Sequence, residues 1–261
     1  MLGTDEKVEL GVAERRFEIE SGGEAVPGIL WRPEHATGPT PLVLLGHGGT
    51  QHKRAVNVLG LARRFVRHLG YTAVAIDAPG HGERVTDESA AEAARVELER
   101  RITTQGGAGS ERPQVSSQAL RVFTDLERAA SDWTATLDAL EAQGDLIDAR
   151  IGYWGLSMGT VIGLPFVASD PRVTAAVLGL AGLSGLPGAA EREAAARRLT
   201  IPVLFVFQWD DQLMTRESGL GLFDAIGSSD KAMHVFPGGH IDTPLYERDA
   251  YDAFFERHLG R

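Results

Sequence analysis

The 261-residue chain contains no cysteine. This absence excludes disulfide bonds, a cysteine nucleophile and thiolate metal sites. The chain also has no run near the roughly 18 consecutive apolar residues that a membrane span needs. Its first twenty residues carry scattered charges and lack the apolar core of a secretory signal. We therefore expect a cytoplasmic protein without a membrane span.

Positive charge is also scarce. Lys and Arg total 26 against 36 Asp and Glu, which gives a formal net charge of −10 at pH 7. Proteins that bind nucleic acids need a basic face toward the phosphates, so we expect no nucleic-acid partner. The composition leaves the oligomeric state open between a monomer and a homodimer.

Short apolar runs alternate with amphipathic stretches along the chain. The runs predict eight strands, at residues 16–20, 28–32, 41–46, 72–77, 150–154, 174–180, 202–207 and 232–236. Helical periodicity lies between them, at residues 54–70, 87–103, 123–144, 158–169, 214–227 and 246–260. This alternation predicts a doubly wound α/β fold with a mostly parallel, eight-stranded sheet and helices on both faces. The first two strands lack an intervening helix, so we expect them to form an antiparallel hairpin at one edge.

One segment departs from the alternation. We predict a single domain over residues 1–261, within which residues 83–122 form an insertion after the strand that ends at Asp77. The insertion contains an Ala/Glu/Arg-rich helix at 87–103 and a glycine-containing loop at 105–114. It is either a lid over the edge of the sheet where loops build binding sites, or a surface helix with a loop.

A candidate nucleophile lies in the sequence GLSMG, residues 155–159. The residues before it have the pattern of a buried strand, and those after it have the pattern of an apolar helix. A sharp strand–turn–helix connection holds such a serine in an unfavourable backbone region, and only small flanking residues avoid a collision. Gly155 and Gly159 supply that room. We therefore predict that Ser157 is a nucleophile rather than an ordinary loop serine.

A serine hydroxyl needs a base that takes its proton. Among the eight histidines, His240 follows an apolar strand and two glycines. It therefore lies in a loop at the C-terminal end of the last strand, and we predict that it is the base. His47, in a glycine-rich loop, is predicted to be a structural hydrogen-bonding residue.

An orienting carboxylate should follow another strand. Asp210 and Asp211 both come directly after the apolar run at 202–207. A buried carboxylate on one ring nitrogen of a histidine fixes its tautomer and stabilises the imidazolium. We predict that Asp211 has this role and that Asp210 is solvated or caps a helix, with the reverse assignment as the alternative.

Catalysis at a carbonyl also needs backbone N–H groups that face the developing negative charge. One is predicted to come from Met158, the residue after the serine. Gly48 and Gly49 allow a close approach of the loop after the first parallel strand, and we predict that Gly49 donates the second hydrogen bond. Gly48, Trp209 and Leu183 are predicted to contact the substrate.

These residues together resemble the α/β-hydrolase superfamily, in particular its serine esterases and dienelactone-hydrolase-like enzymes. The resemblance covers residues 28–259 and rests on GHGG (46–49), DAPGHGER (77–84), GLSMG (155–159), QWDD (208–211) and GGH (238–240). The chain order Ser, Asp, His is that of the family. The family usually has glycine at the first position of the acid motif, where this chain has Gln208. In the family the motif at residues 77–84 forms a structural turn near the pocket. The resemblance therefore implies that His81, which lies in this motif, is not the base.

The resemblance implies a serine hydrolase that cleaves small or medium-sized carboxylic esters through a Ser-His-Asp triad and an acyl-enzyme. The expected partner is a small-molecule ester, and no metal or organic cofactor is expected. The same triad also serves thioesterases, lactonases, peptidases and carbon–carbon bond hydrolases, which remain alternatives. A non-catalytic ligand-binding protein on a hydrolase scaffold is the alternative from another class.

Overall fold

A computed structural model of the chain describes residues 2–36, 38, 40–103, 126–144, 149–184 and 188–260. Its nine strands are β1 (Leu2–Glu9), β2 (Val12–Ser21), β3 (Glu24–Pro33), β4 (Leu42–Gly46), β5 (Thr72–Ile76), β6 (Ile151–Gly155), β7 (Val173–Gly179), β8 (Val203–Gln208) and β9 (Lys231–Phe236). They form one sheet in the order β1-β2-β3-β5-β4-β6-β7-β8-β9. The pairs from β5 to β9 are parallel, and the three pairs from β1 to β5 are antiparallel. The predicted doubly wound, mostly parallel sheet is confirmed.

The predicted number of eight strands was too low by one, because β1 was not predicted. This strand has the charge-rich sequence LGTDEKVE and, among the described strands, pairs only with β2 at the edge of the sheet. An edge strand of a hairpin does not need the continuous apolar run that a central parallel strand needs. The predicted hairpin is correct, since β2 and β3 pair antiparallel along their full length.

The described helices are α1 (Val56–Arg64), α2 (Glu88–Thr103), α3 (Leu126–Ala142), α4 (Met158–Val167), α5 (Ala189–Arg198), α6 (Arg216–Ala225) and α7 (Glu247–Leu259). A π-helical turn extends α1 to Leu69, and Gly70 ends it in the left-handed conformation with φ 72°. Helix α5 was not predicted, because it is short and rich in alanine and charged residues. None of these described helices has both the length and the apolar character needed to cross a membrane.

Side chains of β4 show how the sheet is covered on both faces. Leu42 and Leu44 pack into a core with residues of α3, α4, α5 and α6. Val43 and Leu45 point the other way and pack with residues of α1 and α7. Successive strand residues alternate between faces, so an unbroken apolar run is what a doubly covered strand requires.

Four connections lie at the carboxyl edge of the parallel strands. We call them the β4 loop (47–55), the β5 turn (77–84), the β8 loop (209–215) and the β9 loop (237–246). Parallel strands end at the same edge, so these connections meet the turn between β6 and α4 there.

The predicted insertion begins within a short 3-10 turn, Gly82–Arg84, and its described part also contains α2, none of whose residues is buried. Residues 104–122 of the insertion lie outside the described residues. A cavity of about 240 Å³ separates α2 from the β4 loop and the β5 turn, and its lining includes Gln51, His81 and Ala91. Helix α2 therefore lies beside the edge of the sheet that carries the loops.

Candidate active site

The turn between β6 and α4 holds Ser157 in a strained conformation. Its backbone angles are φ 58° and ψ −121°, in a region that residues with a side chain rarely adopt. The N–H of Ser157 donates to the carbonyl of Gly179 on β7 at 2.9 Å, and its own carbonyl accepts from Thr160 and Val161 in α4. These bonds fix the turn from both sides, and the connection has the predicted strand–turn–helix form.

Close packing accounts for the two glycines that flank this turn. A Cβ on Gly159 would lie 2.5 Å from the carbonyl oxygen of Gly46, and one on Gly155 would lie 2.7 Å from the carbonyl oxygen of Gly159. The buried hydroxyl of Tyr153 donates to that same Gly159 oxygen at 2.7 Å. Gly159 therefore lets the turn pack against the end of β4, and Gly155 lets the turn fold closely onto itself and onto Tyr153.

Three side chains predicted from the sequence form a hydrogen-bonded line. Ser157 Oγ lies 2.8 Å from His240 Nε2, and His240 Nδ1 lies 2.7 Å from Asp211 Oδ2. The side chains of His240 and Asp211 are only 7% and 2% exposed. Asp211 Oδ1 accepts from the N–H groups of Leu213 and Met214 at 2.7 and 3.2 Å, which fixes the orientation of the carboxylate. The line of hydrogen bonds therefore runs from Ser157, through the buried imidazole of His240, to the carboxylate of Asp211, whose orientation is fixed by two backbone N–H groups.

The neighbouring aspartate has a different environment. The side chain of Asp210 is 61% exposed and forms an ion pair with Arg216 at 2.8 Å. The structure therefore brings Asp211, and not Asp210, to His240.

The backbone N–H groups of Met158 and Gly49 have no hydrogen-bond acceptor among the described residues. Met158 begins α4, and the first N–H groups of a helix have no intrahelical acceptor. The N–H of Gly48 donates to Gln51 Oε1 at 3.1 Å, so it is already used. The choice of Gly49 over Gly48 as an oxyanion donor stays a prediction. The sequence analysis did not predict this role of Gln51. Its side chain bonds to a backbone group three residues earlier, and such a contact produces no recognisable motif in a glycine-rich loop.

His47 and His81 support the loops of the site. His47 Nε2 accepts from the N–H of Ala78 at 3.1 Å, so Nδ1 carries the proton and donates to the carbonyl of Gly48 at 2.9 Å. Burial, followed by repulsion from His81, lowers the pKa of His47 to about 3, which keeps this ring neutral. His81 Nδ1 lies 2.9 Å from the carbonyl of Pro79, and burial also lowers its pKa.

A buried ion pair joins the β4 loop to the β5 turn. Lys53 Nζ lies 2.6 Å from Asp77 Oδ2, and the backbone N–H groups of Lys53 and Glu83 also donate to this carboxylate, each at 2.9 Å. Burial alone would raise the pKa of Asp77, but the hydrogen bonds from Lys53 and Glu83 outweigh it and lower the pKa. Sequence reasoning missed Lys53, whose partner lies 24 residues away and forms no local motif.

Two residues predicted to contact substrate have other neighbours. Trp209 is 42% exposed, and the guanidinium of Arg216 lies 4.5 Å from the centre of its ring. Leu183 packs against the core, and its N–H donates to the carbonyl of Ser218 in α6. Their contacts with a substrate, like that of Gly48, stay a prediction.

Comparison with known proteins gave matches among solved structures. No protein-family model and no curated protein sequence matches the chain. A cold-adapted esterase from an Arctic intertidal metagenomic library, in a PEG-bound complex, is 34% identical over 99% of both chains, with a TM-score of 0.81. An acetyl xylan esterase from Paenibacillus sp. R4 is 17% identical over 99% of this chain and 88% of that chain, with a TM-score of 0.70.

A third similar structure is a protein from Klebsiella pneumoniae subsp. pneumoniae MGH 78578 that has been assigned to the dienelactone hydrolases. It is 18% identical over 92% of this chain and 90% of that chain, with a TM-score of 0.64. This match and that to the acetyl xylan esterase show a shared fold.

The doubly wound sheet, with a strand–turn–helix connection at its carboxyl edge, defines an α/β-hydrolase fold. By its similarity to the Arctic esterase over nearly the whole length of both chains, the chain belongs to the esterases of the α/β-hydrolase family. It is a hydrolase of the carboxylesterase type.

Proposed function

We propose that Ser157 is the nucleophile of a serine esterase, with His240 as general base and Asp211 as the residue that orients it. The observation that carries this proposal is the line of hydrogen bonds of 2.8 and 2.7 Å through the three side chains. His240 Nε2 accepts the proton of Ser157 as Oγ attacks the ester carbonyl, and then delivers it to the leaving alcohol. Asp211 keeps Nδ1 protonated and stabilises the imidazolium.

The N–H groups of Met158 and Gly49 bind the oxyanion in this proposal. Met158 is the first residue of α4 and Gly49 lies in the β4 loop, and neither N–H has an acceptor among the described residues. Donors fixed in advance need no reorganisation when negative charge develops on the carbonyl oxygen. In the second half of the reaction His240 activates a water molecule, which releases the acid from Ser157.

The proposed substrate is an ester of small or medium size. We propose that part of the substrate enters the cavity of about 240 Å³ between α2 and the β4 loop, because Gln51 in its lining accepts a hydrogen bond from the N–H of Gly48, next to Gly49. We further propose that residues 1–261 form one catalytic domain and that α2 is part of a lid-like insertion spanning 83–122. A cytoplasmic location and a monomeric or homodimeric state stay predictions.

The proposal is tested by labelling with a fluorophosphonate probe and by hydrolysis of p-nitrophenyl esters, acyl-CoAs and aminoacyl amides. Wild type should react with the probe and hydrolyse p-nitrophenyl esters fastest, and Ser157→Ala should do neither. Ser169→Ala is the matched control, because Ser169 is exposed at the end of α4 and should label like wild type. A wild-type protein that neither labels nor hydrolyses any ester would show that Ser157 is not a nucleophile.

A further inference from the structure

The backbone of His240 is held by a side chain that has no part in the proposed chemistry. The N–H of His240 donates to Gln212 Oε1 at 2.9 Å. Gln212 directly follows Asp211, whose carboxylate binds the His240 ring at 2.7 Å. Two successive side chains of the β8 loop therefore hold one histidine, one at its ring and the other at its main chain.

The amide of Gln212 is also packed tightly against the residue before His240. A Cβ built on Gly239 would lie 2.3 Å from Gln212 Nε2 and 2.7 Å from Oε1. Any side chain at position 239 would therefore push this amide away from its hydrogen bond. The packing and the hydrogen bond together fix Gln212 against the peptide that carries His240.

Inside the β9 loop, His240 lies in a tight turn. The N–H of Gly239 donates to Asp242 Oδ2 at 2.7 Å, and the N–H of Asp242 donates back to the carbonyl of Gly239 at 3.0 Å. These bonds make the turn a rigid unit but do not connect it to the sheet. The connections come from the β8 loop, through Asp211, Gln212 and a bond of 3.0 Å from the N–H of Asp210 to the carbonyl of Gly238.

Gln208 secures the far side of the same loop. It is fully buried at the end of β8. In the orientation that satisfies all its neighbours, its amide oxygen accepts from Thr243 N at 2.8 Å and Thr243 Oγ1 at 3.1 Å. Its Nε2 then donates to the carbonyl of Phe236 at 3.2 Å. Phe236 and Thr243 flank the turn that carries His240, so Gln208 joins the two ends of that turn.

We propose that Gln212 is a positioning residue that keeps His240 Nε2 in line with Ser157 Oγ, with Gln208 supporting the loop from its other side. This inference rests on the proposed function, in which His240 is the base. A rigid turn held at fewer points can pivot, and a displacement of about 1 Å at a reacting group can cost about 100-fold in rate. Gln212 acts only through the main chain of His240, so its loss should change kcat much more than KM.

The first variants separate the hydrogen bond from the bulk of the side chain. Gln212→Ala should lower kcat for a p-nitrophenyl ester about 10- to 100-fold with KM within about twofold of wild type. Gln212→Glu keeps an acceptor of the same length and should recover kcat to within a few-fold. Its added negative charge beside His240 should also move the acidic limb of the pH–kcat profile to higher pH, because an anion favours the protonated imidazole.

An independent perturbation and a control complete the set. Gly239→Ala displaces the amide of Gln212 without changing it and should lower kcat in the same way as Gln212→Ala. Gln143→Ala removes an exposed glutamine at the end of α3 and should match wild type. Thermal unfolding of each variant checks that the fold is retained at the assay temperature.

The outcomes separate this inference from the proposed function. If Gln212→Ala keeps wild-type kcat while Ser157→Ala loses all activity, the role of Gln212 is wrong and the nucleophile stands. If Gln212→Ala and Gln212→Glu lose kcat equally and both keep the wild-type pH profile, the residue is merely structural and the inference is also wrong. If Ser157→Ala remains fully active, the proposed function itself fails.

Discussion

Replacing Asp211 with asparagine tests how the site sets the tautomer of His240. One carboxylate oxygen accepts from the N–H groups of Leu213 and Met214, and the other faces Nδ1 of the imidazole. Asparagine has only one acceptor oxygen. If that oxygen stays with the backbone donors, the amide NH₂ meets Nδ1, which must then be unprotonated. Nε2 would carry the proton and could not take one from Ser157.

The other orientation of the asparagine also costs free energy. Turning the oxygen toward His240 leaves the two backbone N–H groups of the β8 loop facing an NH₂ group. Each buried donor without an acceptor costs about 1–3 kcal/mol, so this orientation costs about 2–6 kcal/mol. At about 1.4 kcal/mol for each factor of ten, the expected loss in kcat is about 30-fold to 10⁴-fold.

The assay is the steady-state hydrolysis of p-nitrophenyl acetate, with Asp210→Asn as the matched control. Asp210 is mostly exposed, and a surface ion pair such as that with Arg216 contributes about 0–1 kcal/mol. Its variant should therefore stay within a few-fold of wild type. Equal losses in the two variants, or an unchanged kcat in Asp211→Asn, would refute the assignment of the acid and the reasoning from the two backbone donors.

Three further changes test other parts of the site. Lys53→Met should lower the free energy of unfolding by about 3–5 kcal/mol in urea denaturation, since it leaves Asp77 buried without its cation; a loss below about 1 kcal/mol would contradict this. Because the pKa of Asp77 is lowered in the fold, its stabilising contribution should be complete above about pH 4 and be lost as the pH falls through the lowered pKa. Gly159→Ala should lower both the melting temperature and kcat, because its Cβ would lie 2.5 Å from a carbonyl oxygen at the end of β4, and an unchanged kcat would show that the turn has room. Ala91→Trp should fill part of the cavity beside α2 and lower kcat/KM for long-chain esters more than for acetate, whereas Ala93→Trp, at an exposed position of the same helix, should not; equal effects would exclude a substrate role for the cavity.

The residues of the candidate site that could be predicted are those that closely follow a recognisable strand in the sequence. An apolar run that ends in a glycine-flanked serine is a strand followed by a sharp turn, and Ser157 has that setting in the structure. His240 and Asp211 follow other apolar runs. Parallel strands end at one edge of the sheet, so residues at the ends of three such runs were expected to meet.

The fold could be predicted to the same extent and for the same reason. Buried parallel strands are apolar on both faces, so β4 to β8 stand out in the sequence. The strand β1 does not, because it pairs on one side only and carries several charges. Its pairing with β2 depends on the chain turning back at Leu10 and Gly11, both of which have positive φ.

By itself, the sequence determined the alternation of strands and helices, the sharp turn at Ser157, and the chain positions of the histidine and aspartate that we propose as base and acid. Each of these features can be seen locally in the sequence, as the spacing of apolar residues, as a glycine next to a turn, or as a polar residue shortly after an apolar run. Only the tertiary structure decided which aspartate faces His240, that Gln212 and Gln208 hold its loop, and that Lys53 joins two loops through Asp77. Those bonds link side chains to backbone groups or to residues that are distant in the chain. Such contacts do not produce a recognisable spacing of residues in the sequence.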